Sequence, residues 1–157
     1  MATIETAVAN LETILRDDLP AILALIDAEK KDGIKLEPIR SFEWEETREA
    51  IKQTPACLLI GVDESDVVLR DQVRDATIQL FLVVDDRDKK SLTKRLYRYA
   101  TALRRVLRPA TNRTLATTII SAKIVRVTFS PTFVDRDNMF ARDLQAEIVL
   151  RMPKEGD

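Results

Sequence analysis

An alternating strand that runs straight into an amphipathic helix, Asp75 to Arg108, constrains this chain more than any other stretch. Ala76, Ile78, Leu80, Leu82 and Val84 fall on one side of the strand, and Thr77, Gln79, Phe81 and Val83 on the other, the period-two signature of a sheet. Both sides are largely apolar, which places the strand in the middle of its sheet. The acidic run Asp85, Asp86 and Asp88 breaks it, and Asp88 is the expected N-cap because helical spacing begins just after it. Leu92, Leu96, Tyr99, Leu103, Val106 and Leu107 then recur at three and four, one apolar stripe that ends at Pro109.

The polar face of that helix has one sign. Lys89, Lys90, Lys94, Arg95, Arg98, Arg104, Arg105 and Arg108 are eight cations with no acid among them, in a chain of 25 basic and 26 acidic groups. Taking these eight from the 25 leaves 17 basic against 26 acidic elsewhere, so a net charge of -1 hides two electrical halves. The helix dipole accounts only for the cations of the last turn. Two readings stand: a solvated face made of good helix formers, or a surface that docks on something acidic. Under the second, Lys94, Arg95, Arg98, Arg104 and Arg105 are the contact residues.

At 157 residues and 45% hydrophobic content, a single domain spanning 1–157 is expected, with 1–3 and 153–157 frayed. No window approaches the roughly 20 apolar residues of a membrane span. Glu5 and Glu12 stand where a signal peptide needs an apolar run. The chain contains no histidine, which excludes Ser-His-Asp and Cys-His catalysis and every His-containing metal site. One cysteine, Cys57, excludes an internal disulfide and reads as a small buried hydrophobe. Gly33, Gly61 and Gly156 form no phosphate-cradling loop. The acids Asp85, Asp86 and Asp88 could hold magnesium, but capping and turn solubility explain them more simply. Asp63, Glu64 and Asp66 lack the Gly-bearing calcium loop pattern. No enzyme activity, cofactor or metal is expected.

In chain order, Ile4, Val8, Leu11 and Leu15 share a helix face, and Asp17-Asp18-Leu19-Pro20 suits a kink or a helix restart, continuing to Gly33. Residues 34–54 read as a connector with a short edge strand at Ile39 to Trp44 and a helical turn before Pro55. Trp44 is either a satellite core residue or an interface anchor. Ala56 to Val62 is a buried strand, Asp63 to Asp66 a turn, and Val67 to Leu69 the start of a hairpin arm. After a Thr-rich loop at Ala110 to Thr118, Ile119 to Phe129 forms a half-polar strand. Simple alternation puts Val125, Val127 and Phe129 with Lys123, opposite Ile120, Ala122, Ile124 and Arg126. Ser130 to Asn138 should protrude, and Phe133, Met139 and Phe140 of the Pro131 to Ala141 loop either mark a contact surface or tuck under the sheet. Asp143 to Met152 alternates cleanly. These elements make an α+β domain: one mixed or mainly antiparallel sheet, covered on one face by the N-terminal helical segment and the central amphipathic helix.

The N-terminal helix, the Pro-Ala-Cys-Leu-Leu-Ile-Gly-Val strand at 55–62, the Thr-Ile-Gln-Leu-Phe-Leu-Val-Val strand at 77–84, the helix bearing Arg-Leu-Tyr-Arg-Tyr-Ala-Thr-Ala-Leu-Arg at 95–104 and the final alternating strand follow one another in a definite order. In that order the pattern resembles the tail terminator or tail completion proteins of long-tailed bacteriophages and related prophage elements. Pro55, Leu96, Tyr97, Ala100 and Leu103 carry most of the likeness, which spans Ile4 to Met152. The resemblance implies a non-enzymatic subunit that forms a homo-oligomeric ring, commonly a hexamer. Its partners would be copies of itself, the tail tube protein and the head-tail connector protein, with DNA only as cargo through the ring and no membrane. It further implies a place in the virion neck, and in host cytoplasm during assembly. Head-tail joining proteins of the connector type are the neighbouring alternative. A nucleic-acid-binding module using the basic helix face is a second, although a pI near 5.7 and only Tyr97 and Tyr99 for stacking weigh against it. Within a ring, the basic face could meet the Glu43 to Glu49 segment of a neighbour.

Overall fold

Two of the helices open on the same device, a side-chain oxygen that takes an otherwise unpaired N–H. The structure is a computed structural model that describes residues 3–44, 53–67, 72–134 and 138–154. Thr3 Oγ1 accepts the Thr6 N–H at 3.1 Å and starts α1 (Ile4–Asp17). The Asp88 carboxylate accepts the Ser91 N–H at 2.9 Å and starts α3 (Lys89–Val106), as the spacing predicts. Between them α2 (Leu19–Lys30) restarts after Asp18 with Pro20 in its first turn, so the N-terminal segment is two consecutive helices. It stops at Lys31, held at φ 49 in the left-handed region, two residues before Gly33.

The strands are β1 (Ser41–Glu43), β2 (Ala56–Asp66), β3 (Val73–Asp86), β4 (Ser121–Phe129), β5 (Phe133–Val134) and β6 (Phe140–Pro153), with the short helix α4 (Ala110–Arg113) before β4. They form one sheet in the order β1-β2-β3-β6-β4, with β5 also paired to β6. β1 is parallel to β2 and the other pairs are antiparallel, which makes the sheet mixed and the fold α+β. β3 and β6 are its centre, registered from Val73↔Pro153 to Asp86↔Phe140.

The helices cover one face. Leu11, Leu15, Leu23 and Ile26 from α1 and α2, and Leu92, Leu96, Tyr99 and Leu103 from α3, are buried in one core with Ile78, Leu80, Leu82, Leu144, Ile148 and Leu150 of the sheet. Each such side chain taken fully out of water contributes about 2 kcal/mol. Arg16 of α1 lies over the Phe42 ring, 4.5 Å from its centroid, and fastens the short edge strand β1 to the helical layer.

Three boundaries differ from the sequence reading. Asp63 to Asp66 belongs to β2, paired with Thr77 to Arg74, rather than to a turn, and Val67 N–H reaches Val73 O at 3.2 Å, while the rest of the hairpin arm expected over Val67 to Leu69 lies outside the described residues. Ser130 stays bound to β6 through Asp143 O and its own Oγ, both at 2.9 Å, and β5 continues along the same strand. The described part of the protrusion expected over Ser130 to Asn138 therefore follows β6, and residues 135–137 lie outside the described residues. Thr3, expected to fray, caps α1, and Pro153 pairs with Val73 while Lys154 N–H bonds Gln72 O at 2.7 Å. The helical turn placed before Pro55 falls largely on residues 45–52, also outside the described ones.

The fourth difference is in β4. Its register slips between Ile124 and Arg126, which makes Val125 the extra residue of a bulge. Ala122↔Leu150, Ile124↔Ile148, Val127↔Ala146 and Phe129↔Leu144 then all point to the helical layer. Simple alternation had separated Val127 and Phe129 from Ala122 and Ile124. A second bulge interrupts β2 between Gly61 and Asp63, with Val62 as the extra residue. The row Gly61–Ile78–Ile148–Ile124 crosses the sheet between them, so the two edge strands break step on either side of one row.

Candidate interaction site

The basic face of α3 spends much of its charge inside the molecule. Arg98, only 8% exposed, places Nη1 3.0 Å from Asp32 Oδ1 and sets Nη2 against Oδ2. Lys94 Nζ approaches the same carboxylate at 3.9 Å. Arg105 grips Glu29 in the same forked way, at 2.9 and 3.0 Å. These pairs bind the end of α2 to α3, and a bidentate fork fixes their relative placement as well as their distance. The Arg98 guanidinium holds Asp32 far below the usual carboxylate range, and Arg105 lowers Glu29 in the same sense.

Arg95 lies 3.4 Å from Asp86, a contact without hydrogen-bond geometry, since Arg95 Nε and Asp86 Oδ2 are both buried without a hydrogen-bond partner. Lys89 sits over the Phe140 ring at 4.9 Å. Among the described residues, Lys90, Arg104 and Arg108 have no ion pair. The docking surface proposed from Lys94, Arg95, Arg98, Arg104 and Arg105 is thus divided: Arg104 is exposed and unpaired, and the other four have carboxylate neighbours in their own chain. The acids at the end of β3 are likewise occupied. Asp85 accepts the Thr54 hydroxyl at 2.7 Å, Asp86 accepts the Asp88 N–H at 3.0 Å, and Asp88 is the cap. Among the described residues no group of three or more Cys, Asp or Glu is placed to hold a metal ion.

The apolar candidates separate as well. Phe133, Met139 and Phe140 are half-buried, Phe140 beneath Lys89 on the helical side of the sheet. Val134, paired with Phe140 and 69% exposed, is the large apolar side chain that this segment presents. Trp44, just after β1, is 45% exposed. Residues 45–49 of the acidic segment proposed to meet the basic face lie outside the described residues.

Sequence reasoning missed the exposed apolar side chains along β4 and at the residue before it. Ile120, Val125 and Phe129 are exposed there, and Tyr97 of α3 stands edge-on to Phe129 with ring centroids 5.0 Å apart and planes at 72°. Tyr97 also lines a shallow groove of about 270 Å³ between α2 and α3, with Ile26, Thr101 and the paired cations around it. The sequence carries no separate signal for the bulge residues Val62 and Val125. Without the pairing register they look like ordinary strand residues.

No helix among the described residues is long and apolar enough to cross a membrane. No protein-family model matches the chain, and no curated protein matches it.

Proposed function

We propose that this chain is a structural subunit of a bacteriophage neck, which forms a ring that ends the tail tube and joins it to the head connector. It acts by self-association and by loop contacts with the tail tube and the connector, without catalysis. The observation that carries the reading is the open edge strand β4 beside the exposed ring pair Tyr97 and Phe129, because exposed apolar surface next to a sheet edge favours association with another chain. The segments that resemble tail terminator proteins are the N-terminal helix, β2, β3, α3 and β6, which contribute the centre of the sheet and much of the helical layer of this domain. The chain also lacks histidine, the side chain on which much general acid-base chemistry relies.

In the competing nucleic-acid reading the α3 cations bind phosphates. Carboxylates within the same chain already engage Lys94, Arg95, Arg98 and Arg105, four of the eight cations of that face, which weighs against that role. Light scattering after gel filtration, repeated with duplex DNA at two salt concentrations, tests the two. A closed multi-copy species that ignores DNA is expected, whereas a monomer with a salt-sensitive DNA shift would replace this reading with the other.

A further inference from the structure

The two edges of the sheet carry opposite charge at the same level. β1 pairs only with Ala56 to Leu58, and β2 beyond it, from Gly61 to Asp66, is exposed. That open half bears Asp63, Glu64 and Asp66. At the other edge β4 exposes Lys123, Val125 and Arg126. Asp66 is engaged by Arg74 at 3.3 Å and Lys154 at 3.4 Å, but Asp63, Lys123 and Arg126 have no ion pair among the described residues.

Register connects them. Asp63↔Thr77, Thr77↔Val149 and Val149↔Lys123 form one row across the sheet, so Asp63 and Lys123 end the same row at opposite edges and on the same face. Three successive antiparallel pairings make β2 and β4 run in opposite directions. A second copy set beside the first in the same orientation therefore offers its β2 antiparallel to β4. If the rotation axis runs along the strands, closing the ring adds no shift along them, and Lys123 of one copy comes opposite Asp63 of the next.

We infer that copies of this chain join edge to edge, β4 of one extending the sheet of the next through the open half of its β2, with Lys123 facing Asp63. This rests on the ring reading and specifies its seam. Lysine, arginine and a bulge can also protect an edge against pairing. Such protection works best with one sign on both edges, whereas here the signs are opposite. Opposed charges across antiparallel strands stabilise their pairing, and like charges directly opposite destabilise it. The exposed bulge valines Val62 and Val125 lie within one row of each other across this seam.

Charge exchange tests the seam. Lys123→Glu and Asp63→Lys are surface changes, so both variants should keep the circular dichroism and Tm of the parent while their association weakens about tenfold or more, a loss of ~1.4 kcal/mol per tenfold. The double variant Lys123→Glu/Asp63→Lys should restore assembly. In a second measurement, oxidation of Val62→Cys/Val125→Cys should give a ladder of linked copies, while Val125→Cys alone gives none. Multi-copy species that persist in both single reversals, or dimers from Val125→Cys alone, would overturn the seam and leave the ring to form by another face. A parent chain that stays monomeric at every concentration would overturn both.

Discussion

Arg98 of α3 and Asp32, just beyond α2, meet as a bidentate ion pair, with the guanidinium almost wholly buried and the carboxylate also accepting the Ile34 N–H at 3.2 Å. The pair converts part of a one-signed helix face into a clamp between two helices. Arg105 and Glu29 repeat it farther along α3.

The clamp makes stability depend on acid in a defined direction. Asp32 titrates far lower in the folded chain than the ~3.9 of an unfolded aspartate, so the unfolded chain takes up this proton first as pH falls. Its contribution is complete above about pH 5 and is lost progressively below about pH 4. Asp32→Asn should lower Tm at neutral pH, by an amount constant between pH 5 and 8 that shrinks as acid is added. Thermal melts across this range check it, and a gap that stays constant down to pH 2 would contradict it.

Tyr99 is fully buried and donates its hydroxyl to Glu37 O at 2.6 Å, joining the middle of α3 to the connector that leads into β1. Tyr99→Phe leaves that carbonyl without its donor and should cost about 1 kcal/mol in urea unfolding. Tyr99→Ala removes the ring as well and should cost about 3–5 kcal/mol.

Gly61 lies at a close approach between β2 and α1 rather than in a turn. A Cβ built there lies 2.7 Å from Cδ1 of Ile4, at the start of α1. Because the obstacle is the end of a flexible side chain, Gly61→Ala should be nearly neutral, while Gly61→Leu should lose about 1–3 kcal/mol by overpacking. Ile4→Ala should relieve much of the Gly61→Leu penalty, and a double-mutant cycle in chemical denaturation measures that coupling.

Cys57 sits in the core with no exposed surface, and burial pushes its thiol well above the ordinary range. A thiol reagent at pH 8 should leave the native chain unlabelled and label one site per chain in denaturant. Labelling of the native chain at a rate comparable to a free thiol would show that this part of β2 opens.

The central strand, the α3 stripe and the Asp88 cap were legible because each is a local pattern: two-residue or 3.6-residue periodicity beside a residue of known end preference. The N-terminal break at Asp18 and Pro20 was legible for the same reason, but its choice between a kink and a restart was not. The bulges were not, because an extra residue reveals itself only by the partner it lacks across the ladder. Val125 therefore hid the return of Val127 and Phe129 to the inner face. The basic face misled in a related way. Its cations are neighbours in sequence, but Asp32, Glu29 and Asp86 reach them only through helix packing and the turn out of β3, which periodicity cannot supply.

The most direct test of the proposed role is electron microscopy of phage particles that carry a tagged copy of this chain. The account predicts density for a ring of copies at the junction of tail tube and head connector, with a central opening. A chain absent from purified particles, or one found singly and away from that junction, would contradict it.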